Sequence, residues 1–436
     1  MTTLTVLRDH IELILFCLYL LFGPQAWAFY GMLMHAGRRK MLLLKRPAGP
    51  FTYEGKEIAP PRVCILIPAK DEGERIRGCV ESALAQDYPN LDVIAINDRS
   101  EDNTGAVMDD MAAQNPRLKV LHNRTAPPPG WTGKNNALHQ GVQHPAVREA
   151  DWLLFVDSDV FLEPDALSAS MAVVLRKKFD LLSLLPRLES HSRWESLLVP
   201  LAASAASSMY LVPLTNNHLM PNQAFANGQF LLISRPAYQA MGGHEAVRDR
   251  YCEDVEIARL LKPRGWKPRV AWGSEFCSVR MYSSLASIFK GWGRIYYAGH
   301  NGSPWSVVLA ALFIILCCYS GYAAFLWGLW RLVHPATFRL GGFGYYTPAF
   351  GAAGAWLTAS VIHLALLTWF IGTAYHWTSN PRRNALAFPV ASAMLMAIFL
   401  KALKMCVTKK VEWRGTSYAH VMAPTIAEAA QPARPG

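Results

Sequence analysis

Charged residues are scarce in this chain. They make up 17% of its 436 residues, whereas a soluble globular domain carries about 25%. Hydrophobic residues reach 52%, which excludes an intrinsically disordered chain, because disordered chains have too little apolar surface to bury. The shortage of charge therefore indicates that part of the chain lies away from water.

The chain also lacks paired cysteines. Its eight cysteines form no C-x-x-C pair and no metal-ligand spacing, and two of them, Cys317 and Cys318, are adjacent inside an apolar run. This pattern argues against a disulfide-stabilised scaffold and against a zinc module, and it is compatible with a reducing compartment.

Long runs without Asp, Glu, Lys or Arg lie at both ends of the chain. A membrane-spanning helix needs about 20 mostly apolar residues, and the run at 13–37, which contains Pro24, predicts one span. The later runs each predict another, although the last is short; they cover 295–330, 340–381 and 384–400. Four complete crossings would place the central domain and the basic tail on opposite sides of the membrane. The alternative of one interfacial or re-entrant run therefore stays open.

The net charge of +11 is concentrated beside these apolar runs, which favours lipid over nucleic acid as the partner. Basic residues at 38–46 follow the first run and predict that the next segment is cytoplasmic. A signal peptide is the alternative for the first run, but its start has one Arg against Asp9 and Glu12. We therefore expect an integral membrane protein that binds no nucleic acid.

Four regions follow from this pattern. Residues 1–48 are expected to hold a transmembrane helix and a basic segment, and 49–294 a cytoplasmic α/β domain. Residues 295–406 are expected to form transmembrane or interfacial helices, and 407–436 a basic and then disordered tail. Within 282–297, apolar residues at helical spacing fit an interfacial helix or a core-packing helix equally.

Short apolar strands alternate with helical patterns in the central region. This alternation predicts a mostly parallel sheet covered by helices on both faces. The strands predicted at 63–68, 91–98 and 152–156 end in polar or acidic residues. Ligands bind at the carboxyl ends of such strands, so we expect these acids to meet at one edge.

Two carboxylates follow the third of these strands. Asp157 and Asp159 are one residue apart, so in an extended chain they point to the same side. No basic residue near them in sequence neutralises them, and Mg²⁺ or Mn²⁺ shared with substrate phosphates would meet that need. A solvated loop is the alternative. Asp98, which ends the second strand, is a candidate to accept hydrogen bonds from a ribose or a base.

A glycine-rich loop precedes the helix predicted at 135–142. Its sequence, 130–134, lacks the spacing of a nucleotide triphosphatase phosphate loop, which argues against that class. Because it opens a helix, it can still bring Lys134 and backbone N–H groups to a diphosphate; an ordinary turn with a surface lysine is the alternative. Glu253 and Asp254 begin a further helix, where the helix dipole favours acids whatever the function.

Together and in this order, the motifs resemble those of membrane-bound family 2 glycosyltransferases of the GT-A (nucleotide-diphospho-sugar transferase) fold. The motifs are Ile67-Pro68-Ala69-Lys70-Asp71-Glu72, Asn97-Asp98, Asp157-Ser158-Asp159 and Glu253-Asp254. The loop at 130–134, with Gly228-Gln229 and Gly242-Gly243, is similar to the branch that contains hopanoid-associated, carotenoid and ceramide glycosyltransferases. The resemblance covers about residues 60–300 and the flanking spans.

The resemblance implies an inverting enzyme of a bacterial inner membrane that moves a single sugar from a nucleotide sugar, expected to be a UDP-sugar, to a membrane lipid. Asp157 and Asp159 would hold Mg²⁺ or Mn²⁺ against the diphosphate, with Lys134 as a further donor-binding residue. Asp254 would be the general base, with Glu253 beside it. The nucleoside pocket would be lined by Pro68, Asp71, Glu72 and Asp98.

One motif departs from the family pattern. Processive members carry Q/R-x-x-R-W after the base, whereas this chain has Lys290-Gly-Trp-Gly-Arg-Ile295, which argues against polymer synthesis. Gln229, Trp292 and Arg294 are expected to contact the acceptor or the diphosphate, and a membrane anchor is the alternative for the last two. A processive polysaccharide synthase and a non-catalytic scaffold remain the alternative functions, the intact acids arguing against the scaffold.

Overall fold

The computed structural model describes residues 3–38, 41–46, 49–334, 349–413 and 416–419. Its strands are β1 Leu42–Leu43, β2 Thr52–Tyr53, β3 Lys56–Glu57, β4 Val63–Ala69, β5 Leu91–Asp98, β6 Leu118–Asn123, β7 Trp152–Val156, β8 Val160–Leu162, β9 Leu181–Leu185, β10 Arg187–Leu188, β11 Phe230–Ser234, β12 Pro268–Trp272, β13 Cys277–Val279, β14 Lys410–Trp413 and β15 Thr416–Ala419.

The α-helices, in chain order, are α1 Thr3–Leu20, α2 Ala26–Arg38, α3 Ile76–Leu84, α4 Thr104–Gln114, α5 Gly133–Val142, α6 Pro145–Arg148, α7 Ala166–Lys177, α8 Arg193–Met209, α9 Arg235–Ala240, α10 Glu253–Leu261, α11 Leu285–Gly299, α12 Pro304–Ile314, α13 Ser320–Val333, α14 Ala349–Trp377 and α15 Phe388–Thr408. Two π-helical segments, Leu21–Gln25 and Ile315–Tyr319, join α1 to α2 and α12 to α13. Pro24 lies in the first of them.

An eight-stranded sheet forms the centre of the domain, in the order β1-β12-β9-β11-β7-β4-β5-β6. All neighbouring pairs are parallel except those of β11, which is antiparallel to β9 and β7. The predicted α/β class with a mostly parallel sheet is therefore confirmed. The sheet begins earlier than the expected boundary at 49, because Leu42 pairs with Ala271 and adds an edge strand directly after the first span.

Both faces of the sheet are buried, as the apolar strands predict. Along β4, Ile65 and Ile67 face the core beneath α3 and α4, while Cys64 and Leu66 face the core beneath α5 and α10. Successive side chains of a strand point to opposite faces, so an uninterrupted apolar run is what a doubly covered strand requires.

Within the residues that the structure describes, four helices are long and apolar enough to cross a membrane. We call the first three span 1 (His10–Ala36), span 2 (Pro304–Val333) and span 3 (Ala353–Trp377); the fourth, Arg382–Thr408, contains α15. Span 2 begins at Pro304, later than the start of the uncharged run at 295, because the first residues of that run belong to α11. Strands β14 and β15 form an antiparallel pair in the tail, and the disorder expected from 423 lies outside the described residues.

Helices α8 and α11 connect the domain to the spans. The Tyr375 hydroxyl of span 3 donates to the Leu197 carbonyl of α8 at 2.6 Å. At the other end of α8, Ser208 Oγ lies 2.5 Å from the Tyr30 hydroxyl of span 1. Helix α11 buries Trp292 and Tyr296 against this layer, so the core-packing interpretation of 282–297 is the correct one.

A buried ion pair fastens the loop before α11 to the start of α8. The Glu195 side chain is fully buried, and its two oxygens accept hydrogen bonds of 2.9 Å each from Arg280. This pairing lowers the pKa of Glu195 to about 2. Arg280 thus supplies the positive charge that compensates this buried carboxylate.

We expect Arg280→Met to destabilise the fold by about 3–5 kcal/mol, because it leaves a buried carboxylate without its partner. The apparent thermal unfolding midpoint in detergent measures the effect. Arg77→Met is the matched control, since it removes only exposed ion pairs, with Asp110 and Glu81, and should cost about 1 kcal/mol or less. Equal shifts for the two variants would contradict this account.

Candidate active site

The carboxyl ends of β4, β5 and β7 lie side by side at one edge of the sheet. The three strands are neighbours and parallel, so the prediction from their polar endings is confirmed. This arrangement brings Pro68, Asp98 and Asp157 to the same edge.

Lys134 stands at the centre of this edge. Thr132 caps α5 by accepting a hydrogen bond from the Asn135 N–H, which sets where the helix begins and where Lys134 emerges. The Lys134 Nζ lies 2.6 Å from an Asp157 oxygen and 2.7 Å from a Glu253 oxygen, and its side chain is 19% exposed. The alternative of an ordinary turn with a surface lysine is therefore wrong.

Asp254 is held by backbone N–H groups from two elements. Its Oδ2 accepts from Gly228 at 2.6 Å, and its Oδ1 accepts from Val255 at 2.8 Å. Burial raises its pKa to about 7; the neighbouring Glu253 adds to the rise and Lys134 opposes it. Gly228 permits this approach, because an added Cβ would lie 3.3 Å from Asp254 Oδ2 and 3.2 Å from Lys134 Nζ.

Asp159 lies in an acidic and buried setting. Burial raises its pKa to about 7, and the charges of Asp157 and Glu72 raise it further while Arg75 lowers it. Within the described residues, no three His, Cys, Asp or Glu side chains form a ready metal cluster. Two carboxylates that lack a third protein ligand suit Mg²⁺ or Mn²⁺, which take further ligands from substrate phosphates and water.

The residues expected to line the nucleoside pocket lie at the carboxyl ends of β4 and β5, which hold Pro68 and Asp98, and in the loop after β4, which holds Asp71 and Glu72. Asp71 has a left-handed backbone, with φ 53°, and its Oδ1 accepts from the Glu101 N–H at 2.7 Å. Both oxygens of Asp98 accept from Arg99, at 3.0 and 2.7 Å. Glu72 is buried beside them. Sequence reasoning missed Arg99, although its position next to Asp98 was a signal that could have shown it.

Arg294 reaches the acidic edge from α11, through Tyr282. The Tyr282 hydroxyl is hydrogen-bonded to Arg294, and burial, with smaller contributions from Asp159 and Asp157, raises its pKa to about 12. The Tyr282 ring lies against α11 at Gly291, where an added Cβ would meet it at 2.1 Å. Sequence reasoning missed Tyr282 because nothing in its local pattern marks it.

The other two residues expected on this side lie differently. Trp292 is buried in protein, with its ring 5.9 Å from the Tyr296 ring, so it is not a membrane-interface anchor. Gln229 is buried as well, and its Oε1 accepts from Asn227 at 3.0 Å. His244 was not predicted; it lines the same pocket as Lys134, and burial and the Lys134 charge lower its pKa to about 3.

A family model described as "Glycosyltransferase like family 2" matches residues 60–298, more than half of the chain. The chain belongs to this family. The domain with the acidic sheet edge is therefore a family 2 glycosyltransferase domain of GT-A fold.

Curated relatives match over parts of their length. Hyaluronan synthase from Pasteurella multocida is 30% identical over 152 residues, which cover 33% of this chain and 14% of that protein. Beta-monoglucosyldiacylglycerol synthase from Synechocystis sp. is 26% identical over 246 residues, which cover 55% of this chain and 49% of that protein. The match thus spans half or less of each relative.

A solved structure is similar at low identity. The mannosyltransferase PcManGT from Pyrobaculum calidifontis, in complex with GDP-Man and Mn²⁺, shares 15% identity with a TM-score of 0.48. The superposition covers 89% of this chain and 99% of that chain.

Replacing Lys134 with Met should destabilise the fold most at high pH. Without the cation, the carboxylates of Asp157, Glu253 and Asp254 repel one another, and the pKa of Asp254, which the Lys134 charge holds down, rises further above its value in the unfolded chain. Folding then favours proton uptake, so the deficit should shrink as the pH falls from 8 to 6. Apparent unfolding midpoints at the two pH values measure this.

Lys119→Met serves as the control, because Lys119 is exposed and donates to the Pro116 carbonyl away from the site. It should show the same small effect at both pH values. A deficit of Lys134→Met that does not change with pH would show that the ion pairs do not hold the acids together.

Proposed function

We propose that this glycosyltransferase is an inverting enzyme that moves a single sugar from a nucleotide sugar to a membrane lipid. One observation carries the proposal: the acids and Lys134 gather at the sheet edge, and Tyr282, which lies near Asp159 and Asp157, is hydrogen-bonded to Arg294 of α11, the helix that leads into span 2. The donor side and the membrane side of the molecule therefore meet at one place.

In this proposal, Asp254 takes the proton from the acceptor hydroxyl. The acceptor oxygen then forms a bond to the anomeric carbon, and the bond from that carbon to the nucleoside diphosphate breaks on the opposite face, which inverts the configuration. A carboxylate with a pKa near 7 suits a base that works near neutral pH. Its bonds to Gly228 and Val255 hold it in place while it acts.

Asp157 and Asp159 would hold a divalent cation, Mg²⁺ or Mn²⁺, which supplies neutralisation of the negative charge that develops on the leaving diphosphate. Lys134 contributes its own charge to the same group, because its Nζ already lies against Asp157. Pro68, Asp71, Glu72 and Asp98 would form the nucleoside side, with a UDP-sugar as the expected donor. Arg294, held by Tyr282, and Gln229 would face the diphosphate or the acceptor.

Two further points support a lipid acceptor over a growing polymer. The match to a glucosyldiacylglycerol synthase extends over more of this chain than the match to hyaluronan synthase. The stretch 290–295 also lacks the order of the processive motif. We therefore assign the chain to the lipid-glycosylating branch, with its catalytic domain on the cytoplasmic face of a bacterial inner membrane.

The proposal is tested with the purified full chain in nanodiscs that contain bacterial lipids, supplied with one nucleotide sugar at a time and Mn²⁺. We expect mass spectrometry to show a lipid heavier by one sugar residue, and no product in the presence of a chelator. A ladder of sugar additions would instead identify a processive synthase. Absence of donor turnover with every nucleotide sugar would favour a scaffold.

Asp254→Asn should lower turnover by about 10²-fold or more, because the amide cannot take the acceptor proton. Donor binding should persist, since an amide oxygen can still accept from Gly228. In the unsubstituted enzyme, the rate should rise with pH through about 7 as Asp254 loses its proton. Single-turnover rates and donor titrations measure the two quantities.

Glu256→Gln is the matched control. Glu256 lies in the same first turn of α10 and pairs with Arg259 at 2.7 Å. Removal of its charge therefore weakens the interaction with the helix dipole to a similar extent but leaves the site unchanged. Its turnover should stay within about twofold of the native rate. Near-normal transfer by Asp254→Asn would refute the assignment and direct attention to Glu253.

A further inference from the structure

The length of the fourth apolar helix does not decide whether it crosses the membrane. Helix α15 has 21 residues, which rise about 31 Å and are enough to cross a bilayer. A crossing would separate the basic tail from the catalytic domain. The contacts of α15 show in which direction it runs.

Spans 1, 2 and 3 share a common end far from the domain. Glu12 near the start of span 1 lies 3.2 Å from the Arg331 Nε near the end of span 2. The same Glu12 oxygen accepts from the Trp356 indole near the start of span 3, at 3.2 Å. Three chain segments that alternate in direction therefore meet at this end, as three successive crossings require.

Span 3 returns the chain to the domain side. Its Tyr375 bonds to α8, and the ring of Trp377 lies 6.0 Å from the ring of Trp272 in β12. The link that follows stays there, because Asn384 Nδ2 donates to the Ser196 carbonyl at 3.0 Å. Helix α15 thus begins on the same side as the sheet.

Helix α15 then runs antiparallel to the path formed by α11 and span 2. Ser392 Oγ donates to the Tyr319 hydroxyl at 2.8 Å, inside span 2. Seven residues later, the Phe399 ring stacks on Tyr296 with centroids 4.4 Å apart. Next, the Lys401 side chain lies 3.4 Å from the position of a Cβ on Gly293. Later residues of α15 therefore contact earlier residues of that path.

We infer that α15 does not cross the membrane but enters the leaflet on the domain side and returns to its surface. Tyr319 lies within span 2, whereas Tyr296 and Gly293 precede its first residue, Pro304. A helix crossing from the domain side beside span 2 would instead run parallel to it and approach Arg331.

The exposed face of α15 fits this placement. Leu386, just before the helix, and Val390 and Leu400 within it are 79%, 56% and 63% exposed, which suits contact with lipid hydrocarbon. The exposed positions after them include Lys404 and Lys409 beside the apolar Val407, and the two lysines suit anionic headgroups at the membrane surface. The partner of this face is thus one leaflet of the bilayer.

Three crossings place the catalytic domain, the link at 382–387 and the end of α15 on one side. The basic residues of the link and of the tail then share the side of the basic segment after span 1. The positive-inside rule, which four crossings would break at one end, is satisfied at both.

Accessibility of single added cysteines tests the inference in the full chain. Thr408→Cys reports the end of α15, Ala113→Cys the catalytic domain and His334→Cys the end of span 2; all three positions are exposed. A membrane-impermeant maleimide is applied to intact and to permeabilised cells, with the unsubstituted chain as background. We expect Thr408→Cys to label under the same condition as Ala113→Cys and under the opposite condition to His334→Cys.

Labelling of Thr408→Cys together with His334→Cys would overturn the inference. The test compares the three positions with one another, so it shows on which side α15 ends even if Ala113→Cys labels in intact cells. That labelling would refute only the cytoplasmic placement of the domain. The lipid contact has its own readout: a fluorophore at Leu400→Cys in nanodiscs should be quenched by acyl-chain doxyl lipids, more strongly than one at Ala113→Cys. Equal quenching at the two positions would refute the contact.

Discussion

The two ion pairs of Lys134 are the interaction on which the arrangement of the site depends. They join the start of α5, the end of β7 and the start of α10, three segments far apart in sequence. Without that cation, the carboxylates of Asp157, Glu253 and Asp254 would stand together in a poorly hydrated place and repel one another. Burial of such charges is tolerated only because they are paired and hydrogen-bonded. The helix cap at Thr132 and the absence of a side chain at Gly228 give the lysine its position.

A second constraint joins this site to the membrane. Helices α8 and α11 pack between the sheet and the spans, and Tyr296 of α11 donates to the Ala202 carbonyl of α8 at 2.8 Å. The same α11 holds Tyr282 and Arg294 against the acidic edge. The distance between the site and the spans is thus set by packed protein.

Several features were predictable from local pattern. Strands β5 and β7 begin and end at the predicted residues, and α5 ends at the predicted residue and begins two residues before its predicted start, because period and breaker residues act over short distances. One local signal was overlooked: residues 196–234 contain no Asp, Glu, Lys or Arg. That run contains α8 from its fourth residue onward, and it marks the part of the catalytic domain that packs against the spans.

The sequence by itself determined the doubly covered sheet, the acids at its carboxyl edge and the helices able to enter a membrane, since each follows from residue type and short-range spacing. Only the tertiary structure decided that Lys134 forms ion pairs with Asp157 and Glu253 and that Arg99 forms one with Asp98. It also decided that Tyr282, near the acids, is hydrogen-bonded to Arg294. It also decided the direction of α15. These outcomes depend on contacts between residues far apart in the chain, and an apolar helix that crosses a bilayer has the same composition as one that enters it and returns.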